Sequence, residues 1–134
     1  MVRAAEILEA ETARFGEIMT LEMGKPIGAA LAEVEKCAWV CRFYAERAET
    51  FLAPEPVATD AGESFVRYDP LGVVLAVMPW NFPFWQVWRF AAPALMAGNS
   101  VIVRPSPPTP ISSLALGAAA EAAGLPAGVL SVVV

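Results

Sequence analysis

Apolar side chains recur at helical spacing through residues 4–52 and fall in short unbroken runs after residue 70. In the first region, Ile7, Leu8, Phe15, Ile18 and Met19 share one face of a helix predicted over residues 4–23. Gly24 stops that helix, with Pro26 two residues on. A second helix is predicted from Gly28 to Leu52. Leu31, Val34, Cys41, Tyr44, Ala48 and Phe51 form its apolar stripe, and Cys37 sits at the same spacing. Pro54 and Pro56 close the segment. The alternating run Ser64 to Tyr68 predicts a strand, and Asp69-Pro70 a turn.

Beyond Pro70 the rhythm becomes strand, helix, strand, helix, strand. Val73–Met78 and Val101–Val103 are apolar runs of strand length, and Val129–Val134 begins a third. Between them lie a helix from Phe84 to Ala97, stopped by Gly98, and a helix opened by Thr109 and Pro110 and ended at Gly124. The alternation predicts an α/β fold: N-terminal helices followed by a parallel, right-handed βαβαβ unit whose continuous apolar strands are covered on both faces. Three segments result: helical residues 1–53, a strand and linker over 54–70, and the βαβαβ unit over 71–134.

Composition narrows the function classes. Hydrophobic residues make up 57% of the 134 positions and charged residues 17%, with a net charge of −5. Disorder is thereby excluded for most of the chain, and so short a chain carries more apolar surface than it can bury alone, so it is expected to pack against further protein. The acidic balance argues against a nucleic-acid partner, which needs a basic face. Histidine is absent, which removes histidine-based nucleophilic catalysis and histidine-ligated metal sites; no metal site is expected. The uncharged run from Leu71 to Trp88 reaches the lower length for a membrane span. Pro79 and Pro83 break any helix there, so no membrane partner is expected. Two cysteines without a signal-like N-terminus suit a reducing, cytoplasmic setting.

Ligands of open parallel sheets bind beyond the C-terminal strand ends. Two loops qualify, Pro79-Trp80-Asn81-Phe82-Pro83 and Arg104-Pro105-Ser106-Pro107-Pro108. Neither is a glycine-rich phosphate loop. The Asn81 amide, on a backbone stiffened by two prolines, suits either a donor to a developing oxyanion or the cap of the following helix. Arg89 is the one charge between Asp69 and Arg104. In an apolar helix it calls for a substrate carboxylate, a protein carboxylate or a route to water. Arg104, held extended before a proline, suits a phosphate or ribose, or a solvated strand end. Cys37 and Cys41 fit core packing better than a metal or a nucleophile. Trp80, Trp85 and Trp88 read as wall and core residues, with Trp85 open to lining a pocket.

The run LGVVLAVMPWNFPFWQVWRFAAPALMAGNSVIVRPS, over residues 71–106, closely resembles the aldehyde dehydrogenase superfamily. The upstream stretch MTLEMGKPIGAALAEVEKCAWVCRFYAE is similar to that family's N-terminal helices. Within the family the likeness is strongest to bacterial succinate-semialdehyde dehydrogenases, although VIVRPSPPTPISSLALG also resembles members outside that group. The resemblance implies NAD- or NADP-dependent oxidation of an aldehyde, with succinate semialdehyde as the expected small-molecule substrate, in a homo-oligomer. It implies an oxyanion donor at Asn81 and cofactor contacts at Trp80, Asn81, Arg104, Pro105 and Ser106. Trp85, Gln86 and Arg89 fall on the substrate side, Arg89 at the position that meets a distal carboxylate. Arg104 replaces the family's lysine in K-P-S, keeping the cation with a different geometry. By the same resemblance, residues 1–134 are part of a cofactor-binding domain, with the catalytic cysteine, the general-base glutamate and the catalytic domain beyond Val134. The chain by itself is then expected to be inactive, or to serve only as a non-catalytic piece that associates with other subunits.

Overall fold

The computed structural model describes residues 1–134. Three helices come first: α1 (Val2–Ala10), α2 (Thr12–Met23) and α3 (Ile27–Phe51). The single helix expected over 4–23 is broken at Glu11, whose φ of −108° and ψ of 19° leave the helical region. The Thr12 hydroxyl donates to the carbonyls of Leu8 (2.8 Å) and Glu9 (3.0 Å), drawing hydrogen bonding away from the helical ladder at that point. Gly24 ends α2 in the left-handed conformation at φ 74°, as the Gly24–Pro26 pair suggested. Cys37 and Cys41 lie on the buried face of α3 with Val34 and Ala38. The fork of Arg42 on α3 holds Glu9 of α1 through two bonds, at 2.9 and 2.6 Å.

The linker forms a hairpin in which β1 (Glu55–Pro56) pairs antiparallel with β2 (Phe65–Val66). The strand expected over 64–68 thus pairs through only two residues. Its partner, β1, was not foreseen; it ends in a proline, which cannot donate to a ladder.

The rest is β3 (Val73–Val77), α4 (Trp85–Met96), β4 (Ser100–Arg104), α5 (Pro110–Ala122) and β5 (Leu130–Val132). The sheet is parallel, in the order β3-β4-β5. Asn99 ties its opening edge: Oδ1 accepts the N–H groups of Leu71 (2.7 Å) and Gly72 (3.1 Å), and Nδ2 donates to Ala94 O (3.0 Å). The register sorts the strands into two faces. Ala76, Val101, Val103 and Leu130 enter the core with Val87, Trp88, Ala91 and Leu116 of the two helices. On the opposite face Val73, Leu75 and Val77 are 68%, 63% and 72% exposed. Within residues 1–134 the strands are thus covered on one face, and the second face expected to be covered is bare of these residues. Adjacent strands taken in sequence order, joined by crossovers of one hand, put both connecting helices on the same side. No helix is long and apolar enough to cross a membrane.

The helical segment docks on the sheet layer mainly through α3 against α4, with α1 and α2 against α5, and Phe15 of α2 adds an aromatic contact. Phe15 is buried, and its ring centroid lies 5.3 Å from that of Phe84 at the start of α4. Phe15→Ala is expected to cost about 3–5 kcal/mol, the usual range for a buried aromatic, read by urea denaturation. A loss under about 1 kcal/mol would show that α2 is not part of the cooperative core.

Candidate active site

The two proline-rich loops leave the sheet side by side. Val77 and Arg104, the last residues of β3 and β4, are register partners, and the next N–H, that of Met78, donates to Arg104 O at 3.0 Å. Trp80 and Asn81 therefore lie at the same sheet end as Arg104, Pro105 and Ser106.

Asn81 does not cap α4. That helix starts on a carboxylate from another element: Glu33 Oε1 of α3 accepts the N–H groups of Phe84 and Trp85, both at 2.9 Å. An anion at a helix N-terminus satisfies orphan donors and meets the positive end of the helix dipole. Glu33 Oε2 pairs with Lys25 Nζ, with side-chain exposures of 1% and 8%. The same ammonium donates to Asn81 O (3.0 Å) and lies 3.7 Å from the Phe82 ring centroid. Pro83 between them is fully buried. The backbone of the loop is gripped, whereas the Asn81 side chain is exposed and bonds to nothing in the chain.

Arg104 is exposed. Its Nη1 donates to Pro105 O at 3.1 Å, and no carboxylate pairs with it. A guanidinium carries five N–H donors, so the rest of the fork is open to an anion. Pro105 is buried and Ser106 half-buried, with Ser106 O accepting the Thr109 N–H at 3.0 Å. Thr109 occupies the cap position of α5 but makes no capping bond. Glu22 of α2 takes that role, accepting the N–H groups of Ile111 (2.5 Å) and Ser112 (2.8 Å).

On α4, Trp85 and Gln86 are half-buried. Trp85 lines a pocket of about 250 Å³ with Ala29, Ala32, Glu33, Lys36 and Phe82, and Lys36 Nζ lies 4.0 Å from its ring centroid. Arg89 is exposed and has no ion partner in the chain. It needs no buried counter-charge, because it sits on the solvent side of an otherwise uncharged helix. Trp88, by contrast, is wholly buried.

Sequence reading passed over Lys25, Glu33 and Glu22. The signal for Glu33 was available, since it falls on the face of α3 shared by Ala30, Val34 and Cys37, where a carboxylate must find a partner. Glu22 gives no such sign, because its partners lie in a helix distant in sequence.

The unit is a parallel α/β layer with two loops at one sheet end, a free carboxamide on one and an unpaired guanidinium on the other. The whole chain, residues 1–134, matches the model of the aldehyde dehydrogenase family, and it belongs to that family. The probable succinate-semialdehyde dehydrogenase (NADP(+)) of Synechocystis sp. is 58% identical over 126 residues, covering 94% of this chain and 28% of that protein. Succinate-semialdehyde dehydrogenase (NADP(+)) 1 of Mycobacterium tuberculosis is 50% identical over 127 residues, covering 92% and 28%. The structure of succinic semialdehyde dehydrogenase from Streptococcus pyogenes in complex with NADP+ superposes with a TM-score of 0.95 at 35% identity, covering 98% of this chain and 29% of that one. The chain thus spans little more than a quarter of the length of these relatives. Their fold is the Rossmann-like one.

Burial pushes the Cys41 thiol from the ordinary 9.0 up to about 12, and burial, aided by the charge of Glu33, pushes Cys37 well up. Both thiols are therefore protonated and enclosed near neutral pH. They are expected to resist a thiol reagent at about pH 8 in the folded protein and to react on unfolding. The folded state binds these protons more tightly, so the stability they contribute is complete below 9.0 and falls as pH rises toward 12. Denaturation curves across that window check the sign: replacing both thiols by alanine should flatten part of the decline, and an unchanged slope would contradict it.

Proposed function

We propose that these residues serve an NADP-dependent succinate-semialdehyde dehydrogenase, supplying its oxyanion donor, a cofactor contact and a substrate clamp. The observation that carries the reading is the free Asn81 amide on an immobilised backbone, beside the unpaired Arg104 at the same sheet end. The names of the relatives support the choice of substrate and cofactor.

In this reading a thiolate adds to the aldehyde carbon and negative charge grows on the carbonyl oxygen. Asn81 Nδ2 donates to that oxygen, and because its backbone is already fixed, little reorganisation accompanies the step. NADP+, when bound, supplies the hydride acceptor. The donors at its proposed site fit a phosphorylated ribose, namely the open fork of Arg104 and the half-buried Ser106 hydroxyl, with the exposed Trp80 beside them. Trp85 and Gln86 form the proposed substrate wall, and Arg89, unpaired within the chain, meets the distal carboxylate.

The nucleophile in this proposal comes from outside residues 1–134, because Cys37 and Cys41 are buried and protonated. The exposed face of Val73, Leu75 and Val77 supports the companion proposal that the chain acts as part of a larger body. A cytoplasmic setting and assembly into homo-oligomers belong to the same reading.

Two substitutions in the full-length protein test it. Asn81→Ala should slow acylation by about 10²–10³-fold with little change in NADP+ affinity, the usual cost of one lost oxyanion donor. An unchanged single-turnover rate would remove Asn81 from the chemistry. Arg89→Leu should lower kcat/KM for succinate semialdehyde by about 10–150-fold, the worth of one charge-assisted pair. Butanal, of equal length without the carboxylate, should lose far less; an equal fall for both substrates would make Arg89 structural.

A further inference from the structure

Lys25 and Glu33 form the most enclosed ion pair of the chain, and the proposed chemistry gives them no task. All their side-chain hydrogen bonds outside the pair go to residues 81–85. Glu33 Oε1 takes the N–H groups of Phe84 and Trp85, on one side of Pro83. On the other side Lys25 Nζ donates to Asn81 O at 3.0 Å and sits 3.7 Å from the Phe82 ring centroid. The three N–H bonds of the ammonium are matched by three partners: the Glu33 carboxylate, the Asn81 carbonyl and the Phe82 ring.

At the start of α4 the Phe84 and Trp85 N–H groups are taken by Glu33 Oε1, and the Gln86 N–H by Phe82 O. The two contacts of Lys25, with the Asn81 carbonyl and the Phe82 ring, lie outside those N–H bonds, and they hold the main chain of the loop residue whose free side chain carries an amide donor. Lys25 itself is held between the left-handed Gly24 and Pro26, where α2 ends and α3 begins.

We propose that Lys25 and Glu33 are positioning residues for the oxyanion donor, setting the backbone at Asn81 so that its amide is aimed before substrate arrives. The inference rests on the reading of Asn81 given above. A reacting group displaced by about 1 Å loses about 10²-fold in rate, so a fixed backbone has a kinetic consequence without any contact to substrate.

The test is a double-mutant cycle in the full-length protein, read as the single-turnover rate of NADPH formation from saturating succinate semialdehyde. In the wild-type background Lys25→Met should slow the reaction by about 10–100-fold, with KM for NADP+ nearly unchanged. In the Asn81→Ala background the same substitution should change the rate by no more than about 2-fold, because no donor remains to be misplaced. Equal losses in both backgrounds would make the pair a purely structural element and overturn the proposal. If Asn81→Ala alone leaves the rate unchanged, the reading of Asn81 fails first and the positioning role falls with it, a result distinct from equal losses. Should Lys25→Met not fold, Glu33→Gln and Lys25→Arg, which keep one member of the pair and a similar volume, enter the same cycle with the same criterion. A second readout is hydrogen exchange: the Phe84 and Trp85 amides should lose protection in Glu33→Gln while those inside α3 keep theirs, and unchanged protection would count against the grip.

Discussion

The helices that cover the parallel sheet start on carboxylates supplied by the helical segment. Glu33 of α3 satisfies the first N–H groups of α4, and Glu22 of α2 satisfies those of α5. Each helix therefore gains its cap, worth about 1 kcal/mol, only when the N-terminal helices are docked. The Glu33 link is the stronger constraint, because it is buried and paired with Lys25. Removing one partner of such a pair leaves an uncompensated buried charge, at a cost of about 3–5 kcal/mol. Docking of α3, the start of α4 and the shape of the loop from Asn81 to Pro83 are consequently energetically coupled.

That coupling explains how a proline-rich loop at a sheet end becomes a rigid platform. Loops on parallel sheets are ordinarily mobile. Here carbonyl 81, ring 82, the buried Pro83 and amides 84 and 85 all have fixed partners. The Asn81 carboxamide stays free, beside the exposed Trp80, and it is the group proposed above as the donor. The neighbouring loop follows a looser version of the same plan: its backbone closes on itself through Ser106 and Thr109, and the Arg104 fork is left open.

The sheet is one-sided within these residues. Strands in the order β3-β4-β5 place α4 and α5 on one face, and the other carries the exposed Val73, Leu75 and Val77. An exposed apolar sheet face of this kind supports the proposal that the chain packs against further protein. Its strands are continuous apolar runs because both of their faces are suited to contact with protein.

Period and punctuation along the chain determined most of the architecture. The stripe through Cys37 and Cys41, the Gly24 stop and the strand-helix alternation after Pro70 all appear in the fold, because each depends on spacing and local backbone preference alone. The Asn81 and Arg104 loops were recognisable for the same reason, as breaks after apolar strands. Tertiary structure decided what those residues do with their neighbours. Asn81 and Thr109 stand where a local capping rule expects them to bond, yet carboxylates 48 or more positions away in the chain, Glu33 and Glu22, take the N–H groups instead. A local rule compares only near neighbours, whereas a helix N-terminus accepts whichever anion packing brings within hydrogen-bond reach. The break at Glu11, the two-residue hairpin and the uncovered sheet face were settled in the same way, by contacts and crossovers that no window of sequence contains.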